Sequence, residues 1–398
     1  MSSTLLRLQE PAQRRTPRQL ALWDLGFRPF YLLAAAFAAL SVPLWALQFS
    51  GLVSTAWLQG PLWHAHEMVF GYTLAVVVGF LFTAGRNWSG QPTPTGRPLM
   101  ALAALWLAAR VLVLTPWGVA AALANVAFPL LAAWGLWRAL RAGGNQRNYF
   151  FVGLLCVLAS ANAALHLNQL GWLHLPAALG VPVALDVLLF IIAVMAGRVL
   201  PMFTNNGVPG ARARRDERVE KAALGSVLAL LAADALQLHG ALMAVLAALA
   251  LLAHATRWAL WQPWKTLRHP LVWVLHAAYA WLPIHVALRS AAELGWIAPN
   301  LPTHALTVGL IGALTLGMMT RTALGHTGRL LHAGRMEVAT YLAVLAAGLV
   351  RVFMPLLMPA WLLPAVNASA ALWSLAFVLY LVRYTPLLLW PRADGLPG

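Results

Sequence analysis

Twelve stretches of this chain are each about as long and apolar as a helix needs to be to cross the hydrocarbon core of a bilayer. They lie roughly at 30–49, 62–83, 98–114, 117–138, 149–170, 180–200, 221–238, 240–260, 270–293, 302–322, 337–357 and 361–384. A segment in lipid must satisfy its own backbone hydrogen bonds, which leaves only helices and closed barrels. Barrel strands would show as ten-residue alternating segments. Here the runs are continuous and rich in Ala and Leu, so helices are selected. With 10% charged residues and 61% hydrophobic ones, the chain could not cover a water-soluble surface. The expected fold class is an all-α integral membrane protein of about twelve transmembrane helices.

Charge placement gives the orientation. Of the 27 Lys and Arg, all but Arg110, Arg289 and Arg351 fall on one side if the spans alternate. The basic residues Arg7, Arg14, Arg15, Arg18 and Arg28 precede the first span, and Arg212, Arg214, Arg215, Arg218 and Lys221 fill the longest loop. The positive-inside rule then places both termini in the cytoplasm. It also explains the net charge of +16 without nucleic acid as a partner. The division expected is a basic cytoplasmic segment at 1–28, a single polytopic domain at 29–390 with a central cytoplasmic loop at 201–221, and a tail at 391–398. No apolar core precedes the first span, so no cleavable signal peptide is expected. The lone Cys156 excludes disulfides within the chain and Cys-based metal sites. The setting expected is a lipid bilayer crossed many times, with lipid as the surrounding partner.

Ionisable groups inside such spans are functional-site candidates by default. The densest run is Trp63-His64-Ala65-His66-Glu67-Met68. Alternation of the spans places His64, His66 and Glu67 near the outer ends, together with His166, Asp186, His285, Arg289, Glu293 and His304. A second set lies towards the cytoplasm: His276, Arg198, Asn205, Asn206, Arg321 and His326. On a helix His64 and Glu67 share a face and His66 points almost oppositely. One histidine is then a metal ligand and the other a neighbouring or backing group, with Glu67 accepting the second N–H of a ligating imidazole. The competing reading is a polar cap hydrogen-bonded to loop carbonyls. Gly309, Gly312 and Gly317 after His304 allow close helix approach. His276 is the deepest candidate and needs a partner to offset its desolvation. Met318 and Met319 are soft donors suited to Cu(I), or ordinary core filling. His285 is read as a neighbour of Arg289. His174, His239, His254, His269 and His332 are assigned no role, and Trp at the span ends forms an aromatic belt.

Several strings resemble one family, NnrS, haem- and copper-containing membrane proteins of bacterial nitric oxide metabolism and tolerance. They are Gly26-Phe27-Arg28-Pro29-Phe30, the Trp63–Met68 run, Asn87-Trp88-Ser89-Gly90 and Gly197-Arg198-Val199-Leu200-Pro201 with Phe203, Asn205 and Asn206. Trp273 to Ala280, His304 to Gly309, and Met319-Thr320-Arg321 through Leu324-Gly325-His326-Thr327-Gly328-Arg329 complete the set. The resemblance implies that His64, His66, Glu67, His276, His304 and His326 stand in motif positions. His166 and His285 do not. It implies haem b, with copper beside it, and nitric oxide as the small-molecule substrate. The electron donor is not named by it.

Neutral imidazole suits iron and copper alike, and no Cys-x-x-Cys-His motif for covalent haem occurs. Glu67 is the candidate proton relay, because reduction of nitric oxide consumes protons. Two sites are expected: an outer one of His64, His66 and His304, and an inner one of His276 and His326, roughly 18 Å apart by helical rise across a core about 30 Å thick. Alternatively His276 is a second axial ligand. Arg198 and Arg321, beside Asn205 and Asn206, are expected to converge on a haem propionate or another anion. Two other functions compete with a nitric oxide oxidoreductase: a twelve-helix secondary transporter, and haem or copper handling without turnover. A carrier would show no Soret band.

Overall fold

The structure is a computed structural model that describes residues 20–54 and 57–396. Arg7, Arg14, Arg15 and Arg18 lie outside the described residues. No strand occurs among the described residues. Twelve long helices follow one another: α1 (Phe27–Phe49), α2 (Gly60–Ser89), α3 (Gly96–Leu112), α4 (Gly118–Ala142), α5 (Tyr149–Gln169) and α6 (Val181–Gly207). They continue with α7 (Glu217–Ala235), α8 (Ala241–Leu260), α9 (Pro270–Glu293), α10 (Asn300–His326), α11 (Arg335–Leu357) and α12 (Leu362–Leu389).

Ten of these are long and apolar enough to cross a membrane; α3 and α7 fall short of that standard. Of the twelve helices expected to span, all twelve are present and ten meet that standard. Helix α3 has 17 residues and rises about 25 Å, less than a hydrocarbon core of about 30 Å. Helix α7 opens on Glu217, Arg218, Glu220 and Lys221 and carries Asp234 near its end, so any stretch long enough to span is too charged. Its N-terminus is set instead by Asp216, whose side chain accepts from the backbone N–H groups of Arg218 and Val219.

Short connections force neighbouring helices antiparallel. Helix α2 ends on Gly90 at φ 65°, a left-handed position that glycine occupies without a Cβ penalty. The end of the bundle where α1 begins is called here the N-terminal face, and the other the far face. Arg28 donates to the carbonyls of Leu388 and Trp390, and the N–H of Ala21 to Leu389, so the first and last helices lie side by side. Helices α2 and α10 are central: 83% and 72% of their apolar windows are buried, against 33% for α8.

Both central helices depart from α geometry at the same place. In α2 the run Glu67–Thr73 is π-helix, and in α10 the run Ala305–Gly312 is. Each begins directly after a motif histidine, His66 and His304. A π turn widens a helix and marks functional sites more often than chance. Close packing is compatible with it because α10 supplies glycines there. A Cβ at Gly309 would overlap the Trp281 ring, and one at Gly312 would overlap Trp373.

Candidate functional site

The two π segments face a common cavity of about 390 Å³ near the far face. That lies within the range of about 300–1,000 Å³ typical of small-molecule sites. Its walls come from α1 (Val42, Trp45), α2 (His64, Met68, Tyr72), α6 (Val181, Leu185), α10 (His304, Thr307, Ile311), α11 (Arg351) and α12 (Val366, Trp373). The two bulged helices are tied beneath it by the Tyr72 hydroxyl donating to Thr315, 2.6 Å. Trp373 is pinned by its indole N–H to the Ala38 carbonyl, 3.1 Å.

Most hydroxyl groups of the wall are spent on backbone carbonyls. Thr307 bonds the Thr303 carbonyl, Thr73 that of Met68, and Ser369 that of Ala347. The two histidines and the arginine differ. His304 donates Nδ1–H to the Asn300 carbonyl, 2.7 Å. This fixes the tautomer and leaves Nε2 as a free lone pair, as in metal-ligating histidines. The His64 ring lies flat on Trp45, 4.8 Å between centroids at 14°, and its Nδ1 is buried without a partner. Arg351 is 9% exposed, with Nη1 buried and unbonded. His64 and Arg351 both lie close enough to His304 to act on it electrostatically.

His66, two residues from His64, faces away from the cavity. Its Nδ1–H donates to Glu67 Oε1 at 2.7 Å, while Nε2 lies 3.1 Å from Asn162 Oδ1 and 3.2 Å from Nε2 of His166. Arg110 reaches the same Glu67 oxygen at 2.5 Å and bonds Asn125 with its other nitrogen. Asn162 in turn donates to the Asn125 carbonyl. This closes a buried network across α2, α3, α4 and α5. The expected outer trio of His64, His66 and His304 is therefore divided between two sites. Glu67 does not back His64, because the Arg110 charge draws its carboxylate to the opposite side and the α register is lost at Glu67 itself.

The inner candidates are not brought together. His276 donates from Nε2 to Thr204, 2.7 Å, and its Nδ1 is buried without a partner. His326 packs on Phe27 at 5.6 Å. No hydrogen bond or ring contact joins the two among the described residues. Arg198 and Arg321 also part company. Arg198 donates to Asn148 and lies over Trp88, Phe150 and Phe151, whereas Arg321 sits 3.9 Å over Phe203. These five-residue neighbours on α6, Arg198 and Phe203, point to different helices. Asn205 clamps the loop through both backbone groups of Ala213, and Asn206 is exposed.

Sequence reasoning passed over three features. His166, set aside for lying outside the motifs, belongs to the His66 network with Asn125 and Asn162. His254 has a polar companion after all, the Tyr279 hydroxyl at 2.7 Å, 25 residues further on and invisible to local reading. Arg351 was noted only as an exception to the charge pattern. That exception was the signal, since of the three intraspan arginines Arg110 and Arg289 find carboxylates in Glu67 and Asp234 and Arg351 does not. Among the described residues, no three or more His, Cys, Asp and Glu side chains cluster as a metal site.

The sequence pattern of the NnrS protein family matches residues 21–392. No curated protein matches. Covering nearly the whole chain and every helix described above, the match makes this protein a member of the NnrS family.

Proposed function

We propose that this chain is a multi-pass protein of the bacterial inner membrane, its N-terminal face cytoplasmic, that holds haem b in the far-face cavity and acts on nitric oxide. NnrS membership fits a nitric oxide-related membrane protein. The observation that carries the rest is the pairing of His64 and His304 in one apolar cavity, each on a helix that turns π beside it. Both imidazoles have capacity to spare, and apart from Arg351 and a few hydroxyl and amide groups the wall offers hydrocarbon and aromatic surface. A bare copper ion needs most of its donors from the protein. A haem brings its own equatorial nitrogens and asks for one or two axial ones. The donor set therefore suits haem better than copper alone, although Met68 in the wall offers a thioether to Cu(I).

A haem in this cavity would supply a redox-active iron at which nitric oxide, small and weakly polar, can bind from the lipid phase. His64 and His304 hold the group, Trp45 keeps the His64 ring plane fixed, and the apolar wall excludes bulk water. Reduction of nitric oxide would consume protons. The Glu67–His66–His166 array starts on the helix that also carries His64 and crosses to α5, and Glu67 Oε2 is buried with no partner. It is the relay candidate as a unit.

The test is the optical spectrum and metal content of the purified protein, followed by anaerobic nitric oxide consumption by its reduced form. His64→Ala and His304→Ala should abolish or shift the Soret band, and His174→Ala should leave it unchanged. Absence of any Soret band in protein isolated with haem available would sink the haem reading and favour a carrier.

A further inference from the structure

We propose that the cavity binds a planar two-oxygen anion, a carboxylate or nitrite, in the guanidinium fork of Arg351. The inference concerns the same cavity as the proposed haem but stands without the metal.

Its basis is a contrast among the buried arginines. Arg257 is held bidentately by Glu220, at 2.8 and 2.7 Å, and by the Ala193 carbonyl. Arg110 is held by Glu67 and Asn125, and Arg289 by Asp234. Arg351 is as well buried as Arg110, at 9% and 7% exposure. Yet it makes no hydrogen bond, ion pair or ring contact among the described residues. An ionised group withdrawn from water costs several kcal/mol unless an opposite charge and hydrogen bonds replace the lost hydration. Arginine does not escape by deprotonating, since a guanidinium stays protonated in proteins. The protein supplies no counter-charge here, so the ligand does.

The geometry narrows its chemistry. Guanidinium presents parallel N–H bonds that match two oxygens in one plane. The neighbouring imidazoles of His64 and His304 offer lone pairs and do not compete for the anion. The rest of the wall carries no charge, so one negative charge is compensated and a second would not be. Two sources share this chemistry: the propionate of a haem in the cavity, and free nitrite.

The experiment uses the full chain in detergent, prepared without haem or added metal, and follows thermal unfolding of wild type, Arg351→Met and Arg351→Lys. Removing an uncompensated charge should raise the midpoint of the ligand-free Arg351→Met protein. Adding sodium nitrite, or reconstituting with haem, should raise the wild-type midpoint and shift the methionine variant far less. Affinity for the effective ligand should fall at least about tenfold to a hundredfold in Arg351→Met, what even one charge-assisted hydrogen bond is worth. Arg351→Lys, which keeps the charge without the fork, should fall between. A shift with nitrite alone assigns a free anion, and a shift with haem alone assigns a propionate. If wild type and Arg351→Met respond equally to both, or neither responds to either, the proposal is overturned. Should the methionine variant not fold, the lysine variant carries the same comparison. A missing Soret band with a nitrite response intact would refute the haem reading alone.

Discussion

Two neighbouring histidines on α2 face opposite sides of that helix and have opposite fates. On one side both ring nitrogens of His66 are engaged: Glu67, Asn162 and His166 surround it, and Arg110 and Asn125 complete the shell. On the other side His64 and Arg351 keep buried nitrogens with nothing to bond, and the space in front of them is open. Arg351 is about as deeply buried as Arg110, at 9% and 7% exposure, so burial alone does not tell structural polarity from functional polarity. What the unpaired atoms face does. Glu67 Oε2 and Arg110 Nε are unpaired inside a packed network that still ties helices together, whereas His64 and Arg351 present theirs to a cavity that something from outside can enter.

The most severe test of this contrast is Glu67→Ala. It strips Arg110 of its carboxylate inside the bundle, and breaking a buried pair by removing one partner costs about 3–5 kcal/mol. Thermal unfolding in detergent should show a large loss of stability, partly restored in Glu67→Gln/Arg110→Met. A mild effect would mean that the network does not bind α2 to α3. Next in size, His66→Ala should cost about 1–3 kcal/mol, the penalty of leaving buried polar groups unsatisfied. His64→Ala should cost less in ligand-free protein while removing the cofactor signal. The comparison breaks if the two substitutions exchange behaviours.

A smaller effect is expected from Gly312→Ala. Its methyl would meet the Trp373 ring, and shifting that wall should weaken ligand binding more than it lowers stability. Smallest of all is the tail. Arg392 forms a two-point contact with Asp394, at 2.9 and 2.6 Å, and holds its carboxyl at about 2, below the ordinary 3.8. A depressed carboxyl contributes stability above its unfolded value and loses it as pH falls from about 4 towards 2. The pair is at the surface, so Asp394→Asn should change the unfolding midpoint barely measurably at neutral pH. A large change would show that surface and buried pairs are not separable in this protein.

The helices were legible because run length and loop charge are one-dimensional properties. The two that fall short, α3 and α7, are those where a run of about 17 residues or a charged first turn lay at the margin. His64 and His304 could be placed at a common depth by counting. What could not be counted was direction. A face assignment from Glu67 assumed 3.6 residues per turn, and the helix abandons that period at Glu67. The inner pair, His276 and His326, share a depth but sit on different neighbours, since depth fixes one coordinate of three. Arg351 was in view as a charge out of place, yet its lack of a partner is a property of the folded molecule. The NnrS motifs pointed to His64 and His304 and were silent on His166 and Arg351.

The pairing of the first and last helices has a temporal consequence. Arg28 is fastened to Leu388, 360 residues later, and the cavity takes wall from α1, α2, α6, α10, α11 and α12. A ribosome delivers these helices in order. Until α12 leaves the translocation machinery, one side of the chamber is lipid, and neither the Trp373 wall nor the clamp on Arg28 exists. The chamber is thus among the last features to close, and whatever occupies it is admitted to an almost finished protein.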